Sequence, residues 1–146
     1  MRLQKDLREF IESLNSHRVE FVIVGGYALA FHGHPRYTRD IDILLRATPE
    51  NAARVESALS EFGFTSLGLS ALDFLKPGQV IQLGHPPNRI DLLTSLSGVD
   101  AEEVWGKRLR GELDGLPVSF IDKESFLRNK HAAGRPQDLA DASAIE

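Results

Sequence analysis

The stretch Asp40-Ile41-Asp42-Ile43 constrains the fold of this 146-residue chain more than any other. On a strand, residues i and i+2 share a face. Asp40 and Asp42 therefore project together, while Ile41 and Ile43 turn to the other side and can enter the core. Two carboxylates held that close repel each other unless a cation sits between them. Mg²⁺ takes oxygen ligands, often one or two carboxylates together with substrate phosphates. The plainer alternative is an edge strand with a solvated polar face. A second apolar strand with a central acid, Arg89-Ile90-Asp91-Leu92-Leu93, weighs against it, because acids are disfavoured in strands. If the two strands are neighbours, Asp40, Asp42 and Asp91 converge. Three acids suffice to hold two Mg²⁺ or Mn²⁺ ions ~3.5–4 Å apart, the spacing used for in-line phosphoryl displacement. Asp91 stands apart from the pair in sequence and is also placed to take a proton from an attacking hydroxyl.

The rest of the chain supplies alternating helices and strands around these acids. Leu3, Leu7, Phe10, Ile11 and Leu14 follow helical spacing, which predicts a helix over 3–16. Glu20 to Val24 reads as a buried strand running into Gly25-Gly26, and Tyr27 to His32 as a short helix stopped near Gly33 and Pro35. Ile41 to Leu45 is the second strand. Thr48-Pro49-Glu50 has the cap, proline and acid of a helix start, and Gly63 ends that helix. Val80 to Leu83 and Arg89 to Leu93 read as two strands, with Gly84-His85-Pro86-Pro87-Asn88 as their turn. Asp114-Gly115 is a hairpin signal between Leu113 and Leu116–Ile121. Asp122 caps a helix over 123–131, Gly134 and Pro136 break it, and a last helix covers 136–145. The pattern predicts an α/β or α+β fold with one mixed sheet flanked by helices, in one domain spanning 1–146.

Composition narrows the function classes. There is no cysteine, so thiolate metal sites, disulfides and cysteine nucleophiles are excluded. His32, His34 and His85 lack the spacing of a zinc site. No apolar run approaches the ~20 residues of a membrane helix, and Met1 to Asp6 carries no signal-like stretch; a cytoplasmic protein is expected. The net charge of −4 argues against a surface that is basic everywhere and leaves room for a local basic cleft.

Gly25 and Gly26 follow a strand and open a helix, a turn that lets an anion such as phosphate approach the backbone. The motif is neither the dinucleotide fingerprint nor the Walker loop. Arg36 and Thr38 precede the acid pair, and an arginine fork can clamp phosphate oxygens. Lys130 and Arg135 flank the glycine break between the last two helices, where a triphosphate could end. A lysine there is otherwise explained by the helix dipole. Trp105 reads as a core residue rather than a base-stacking platform.

Taken together, Val24-Gly25-Gly26, Asp40-Ile41-Asp42-Ile43 and Asp91 resemble the signature of the DNA polymerase beta-like nucleotidyltransferase superfamily. Gly25-Gly26-Tyr27-Ala28-Leu29-Ala30 and Arg36-Tyr37-Thr38-Arg39-Asp40-Ile41-Asp42 look like the small bacterial nucleotidyltransferases related to abortive-infection toxins. Lys130 to Asp141 looks like the final segment of that group. The resemblance implies the nucleotidyltransferase fold and a Mg²⁺- or Mn²⁺-dependent transfer of NMP from a nucleoside triphosphate such as ATP. It makes Asp40 and Asp42 metal ligands and Asp91 a ligand or base. The relation to abortive-infection toxins adds an antitoxin protein as a candidate partner, and the small size of the chain favours an RNA end or a protein hydroxyl as acceptor. A chain this short is expected to hold its acceptor in an open cleft. Two other classes share the acids: a non-catalytic nucleotide- or partner-binding member of the fold, and a metal-dependent nuclease.

Overall fold

The computed structural model describes residues 3–63, 68–85 and 88–146. Pro86 and Pro87, in the turn expected at 84–88, lie outside the described residues.

Helix α1 (Lys5–Ser16) buries Leu7, Phe10, Ile11 and Leu14 on one face, as their spacing predicts. Leu3 is also buried but lies before the helix. Strand β1 (Phe21–Val24) is buried at every position, as a central strand covered on both faces must be. It passes directly into α2 (Gly25–Phe31). The helix opens at Gly25 rather than at Tyr27, because Gly25 takes φ +68° and turns the chain within one residue.

Strand β2 (Asp40–Leu45) alternates at its start: Ile41 and Ile43 are fully buried, Asp40 and Asp42 only partly. Helix α3 (Pro49–Phe62) is capped by Thr48, whose side chain accepts from the Asn51 amide, and it ends on left-handed Gly63. A 3₁₀ turn (Ala71–Phe74) leads to β3 (Val80–His85) and β4 (Asn88–Leu93). Helix α4 (Ala101–Lys107), β5 (Leu109–Leu113), β6 (Leu116–Phe120), α5 (Lys123–Ala133) and α6 (Pro136–Ile145) complete the chain.

Among the described residues, six strands form one mixed sheet in the order β3-β4-β2-β1-β6-β5. β2 runs antiparallel to β1 and parallel to β4, and β1 runs parallel to β6. The architecture is the α+β one expected. Helix α4 buries only Val104, and β5 is an edge strand mostly exposed before Leu113; elements with so little to bury leave no hydrophobic period to read. Trp105 packs against the core margin with the Arg108 guanidinium 3.7 Å from its ring centre.

Buried Asn51 ties the frame together. Its side chain accepts from the Glu20 amide at 2.6 Å and donates at 2.8 Å to the carbonyls of both Glu20 and Arg46. The entrance of β1 and the exit of β2 are thereby locked to α3. Among the described residues no helix is long and apolar enough to cross a membrane.

Candidate functional site

The parallel pairing of β2 and β4 places Asp40 beside Arg89 and Asp42 beside Asp91. Side chains paired across a ladder share a face, so Asp40, Asp42 and Asp91 leave one sheet face, with Arg89 among them. Asp91 is buried.

Asp42 also meets the end of β1. A Cβ on Gly25 would collide with the Asp42 carboxylate, whose Cγ lies 3.0 Å from that position. A Cβ on Gly26 would stand 3.1 Å from the Thr38 Cβ. The missing side chains of these glycines also admit Asp42 and Thr38. Thr38 in turn donates its hydroxyl to the Asp40 carbonyl at 3.1 Å.

A cleft of about 290 Å³ opens beside the acids, lined by Gly25, Gly26, Arg36, Thr38, Asp40, Asp42, Lys130, Arg135, Gln137, Asp138 and Asp141. Every nucleotide-binding residue expected from the sequence is on that wall. Asp91 lies outside it, next to Asp42 in the sheet. The volume is at the small end for ligand pockets, which run from ~300 Å³.

The cations of the cleft are not free. Arg36 forks onto Asp141, with Nε and Nη2 each donating at 3.1 Å. Lys130 is buried and lies 3.3 Å from Asp138 and 3.8 Å from Asp141. It sits in the last turn of α5, yet a solvated helix-end charge does not describe it. Arg135 donates to Asp138 through Nε at 2.7 Å and Nη2 at 3.3 Å. Asp138 and Asp141, each 2% exposed, were not singled out as site residues in the sequence. Their signal was a spacing of three on one helix, which puts two acids on a single face. Burial pushes the Asp138 carboxyl up, but the hydrogen bond from Arg135 and the charge of Lys130 outweigh it and hold it below the usual range.

Asp42 behaves oppositely. Burial is the main cause of its rise, repulsion from Asp91 and a shared hydrogen bond with it add to this, Lys130 opposes it, and Asp40 adds more; the carboxyl is pushed up to about 7. Arg89, also missed in the sequence, partly neutralises the acids. Its Nη2 donates to Asp40 Oδ2 at 2.9 Å, and its Nε lies 3.4 Å from Asp91 Oδ1.

The donor set suits a hard divalent cation. All three side chains offer carboxylate oxygens, and Asp91 Oδ1 is buried without a hydrogen-bond partner. Among the described residues, however, no three acidic or imidazole side chains stand together as a ready-made metal cage. Asp40 is turned to Arg89, whose Nη2 donates to it at 2.9 Å.

A family model described as "Nucleotidyl transferase AbiEii toxin, Type IV TA system" matches residues 7–68. That stretch contains Gly25, Gly26, Arg36, Thr38, Asp40 and Asp42 and stops short of Asp91. Among curated proteins none matches. Among solved structures, a candidate nucleotidyltransferase from Thermotoga maritima aligns over 95% of this chain and 87% of its own, at 17% identity and TM-score 0.58. The lincosamide antibiotic adenylyltransferase LnuA, with lincomycin bound, aligns over 99% of this chain and 96% of its own, at 14% identity and TM-score 0.57. The antibiotic-resistance factor ANT(2'')-Ia aligns over 96% and 80%, at 14% identity and TM-score 0.56. The chain has the nucleotidyltransferase fold and, over residues 7–68, is similar to the AbiEii nucleotidyl transferase toxins.

Proposed function

We propose that the chain transfers a nucleoside monophosphate from a metal-chelated nucleoside triphosphate to a hydroxyl of a macromolecule, an RNA end or a protein side chain, with pyrophosphate leaving as the bond to the α-phosphorus forms. We further propose that it acts as the toxin of a toxin–antitoxin pair. The observation that carries the reading is the side-by-side register of Asp42 and Asp91 at the edge of a cleft that also holds Arg36, Lys130 and Arg135.

The charge balance of that cleft supports a chelated rather than a bare nucleotide. Three cations line it against the four carboxylates of Asp40, Asp42, Asp138 and Asp141. A bare polyanion would be repelled. Asp40, Asp42 and Asp91 would hold Mg²⁺ or Mn²⁺, which when bound neutralises phosphate charge and makes the phosphorus more open to attack. Arg36 and Arg135 offer guanidinium forks to phosphate oxygens, and Lys130 a point charge. Asp91 takes the proton of the attacking hydroxyl. The work of the protein is positioning and charge neutralisation.

Chain length does not select the acceptor. LnuA is nearly the same length by coverage and its structure holds lincomycin, so a short chain does not by itself disfavour a small-molecule acceptor. The similarity to AbiEii toxins favours the macromolecular one. One observation favours a second reading, a non-catalytic nucleotide- or partner-binding chain: the cations of the cleft are all engaged by Asp138 and Asp141.

The test is incubation of cell extract with α-labelled triphosphates and Mg²⁺, comparing wild type with Asp91→Asn. Label on RNA or protein with wild type alone supports transfer. Label released as free mono- or diphosphate, or an equally active Asp91→Asn variant, overturns it. Growth arrest on expression, relieved by a co-expressed neighbouring gene, tests the toxin assignment.

A further inference from the structure

Arg89 stands inside the acidic cluster rather than at the cleft wall. It precedes Asp91 by two residues on β4, so both side chains leave the same face. It is the register partner of Asp40, as Asp91 is of Asp42. Three carboxylates and one guanidinium thus occupy four adjacent positions on one sheet face.

The way Arg89 is held differs from the way Arg36 is held. Arg36 places its fork on a single carboxylate with two hydrogen bonds of 3.1 Å, the geometry that gives an arginine–carboxylate pair its strength. Arg89 divides itself between two acids. Nη2 makes a hydrogen bond of 2.9 Å to Asp40, while Nε lies 3.4 Å from Asp91 Oδ1 without forming one. Both Arg89 Nε and Asp91 Oδ1 are buried and lack a hydrogen-bond partner. The contact supplies positive charge to the acids and leaves hydrogen-bonding capacity unused on each side. A way out exists as well. The Arg89 side chain is 36% exposed, and its register partner on β3, Gly84, has no side chain to confine it.

We propose that Arg89 is an internal counter-cation of the acidic cluster. It holds the Asp40 and Asp91 oxygens that a divalent metal ion would need, so that metal and guanidinium compete for them. This rests on the reading of Asp40, Asp42 and Asp91 as metal ligands. Competition makes the metal site weak while the cleft holds no nucleotide. It also couples the two ligands: a guanidinium released from the acids finds a new anionic partner when a polyphosphate lies in the cleft, so each ligand strengthens the binding of the other.

The experiment is calorimetric titration of Mn²⁺ into wild type, Arg89→Gln, Arg89→Lys and Asp42→Asn, all without nucleotide. An opposite charge in contact with a carboxylate shifts its ion affinity by ~10-fold or more. Arg89→Gln is therefore expected to bind Mn²⁺ at least ~10-fold tighter than wild type. Arg89→Lys, which keeps the charge and loses the fork, is expected between the two. Asp42→Asn is expected to lose binding. A wild-type readout accompanies these: the Arg89 Nε–H resonance, assigned by its absence in Arg89→Lys, should shift on Mg²⁺ addition. Unchanged or weaker Mn²⁺ binding by Arg89→Gln, with Asp42→Asn defective, would overturn the role of Arg89 and leave the metal site standing. An Arg89 resonance unmoved by saturating Mg²⁺ overturns it too, even if Arg89→Gln fails to fold. Absence of Mn²⁺ binding in every protein tested, at millimolar concentrations, overturns both readings together.

Discussion

Replacing Asp42 by asparagine should make the protein more stable in metal-chelating buffer, although it removes a group central to the proposed activity. The folded-state carboxyl sits at about 7 against an ordinary value of 3.8, chiefly because it is buried and faces Asp91. The folded state therefore binds this proton more tightly than the unfolded chain does. Stability contributed by the protonated form is fully present below the unfolded value, declines as pH rises between the two values, and levels off above the folded one. Each unit of difference corresponds to ~1.4 kcal/mol, so ionised Asp42 costs on the order of 4 kcal/mol at pH 8 and about half that at pH 5.5. Asparagine keeps the shape, cannot ionise and loses its attraction to Lys130. A net gain of roughly 1.5–4 kcal/mol at pH 8 follows, or a rise of about 4–10 °C in Tm for a chain of this size. Urea unfolding of both proteins across pH 5 to 9 in EDTA measures it. A destabilised Asp42→Asn, or a gain that does not grow between pH 5.5 and 8, would show that Asp42 is a satisfied structural group. Mg²⁺ should then raise the Tm of the wild type and leave that of the variant unchanged, because the ion stabilises only the state that binds it.

Four further outcomes follow from other parts of the frame. Gly25→Ala puts a side chain at φ +68° against the Asp42 carboxylate; thermal unfolding should report a loss of ~1–3 kcal/mol, and calorimetry a loss of metal–nucleotide binding. Asn51→Ala strands the Glu20 amide and the Glu20 and Arg46 carbonyls, and should cost about 2–4 kcal/mol in urea unfolding with the site's chemistry unaltered in kind. Lys130→Met breaks a buried pair with Asp138 and should cost about 3 kcal/mol in urea unfolding, besides weakening nucleotide binding in calorimetry. Asp138, held below its usual range, contributes stability above the unfolded value that is lost as pH falls through the folded one, so Asp138→Asn should flatten the acid side of the pH–stability curve.

What the sequence showed and what it hid divide along physical lines. The convergence of Asp40, Asp42 and Asp91 was legible because strand periodicity is strict: an acid at i and i+2 must share a face, and a second acid-bearing strand has few places to pair. The long helices were legible because α1 and α3 bury a whole stripe, whereas α4 buries one residue and β5 runs along an edge. The cleft's wall could be named but not its charge state. Arg36, Lys130 and Arg135 stand where phosphate contacts were expected, yet which anion holds them depends on how α6 turns Asp138 and Asp141 toward them. That is set by the left-handed Gly134 and the Pro136 start, a rotation that no local pattern encodes. The same holds for Arg89. Its place in the acidic cluster needs both its own strand's alternation and the β2–β4 register, and only the first is written locally. Opposite charges gathered from separate elements cancel in a composition and in a net charge of −4. They do not cancel in space: Arg36, Lys130 and Arg135 are each held by Asp138 or Asp141 on the wall of one cleft.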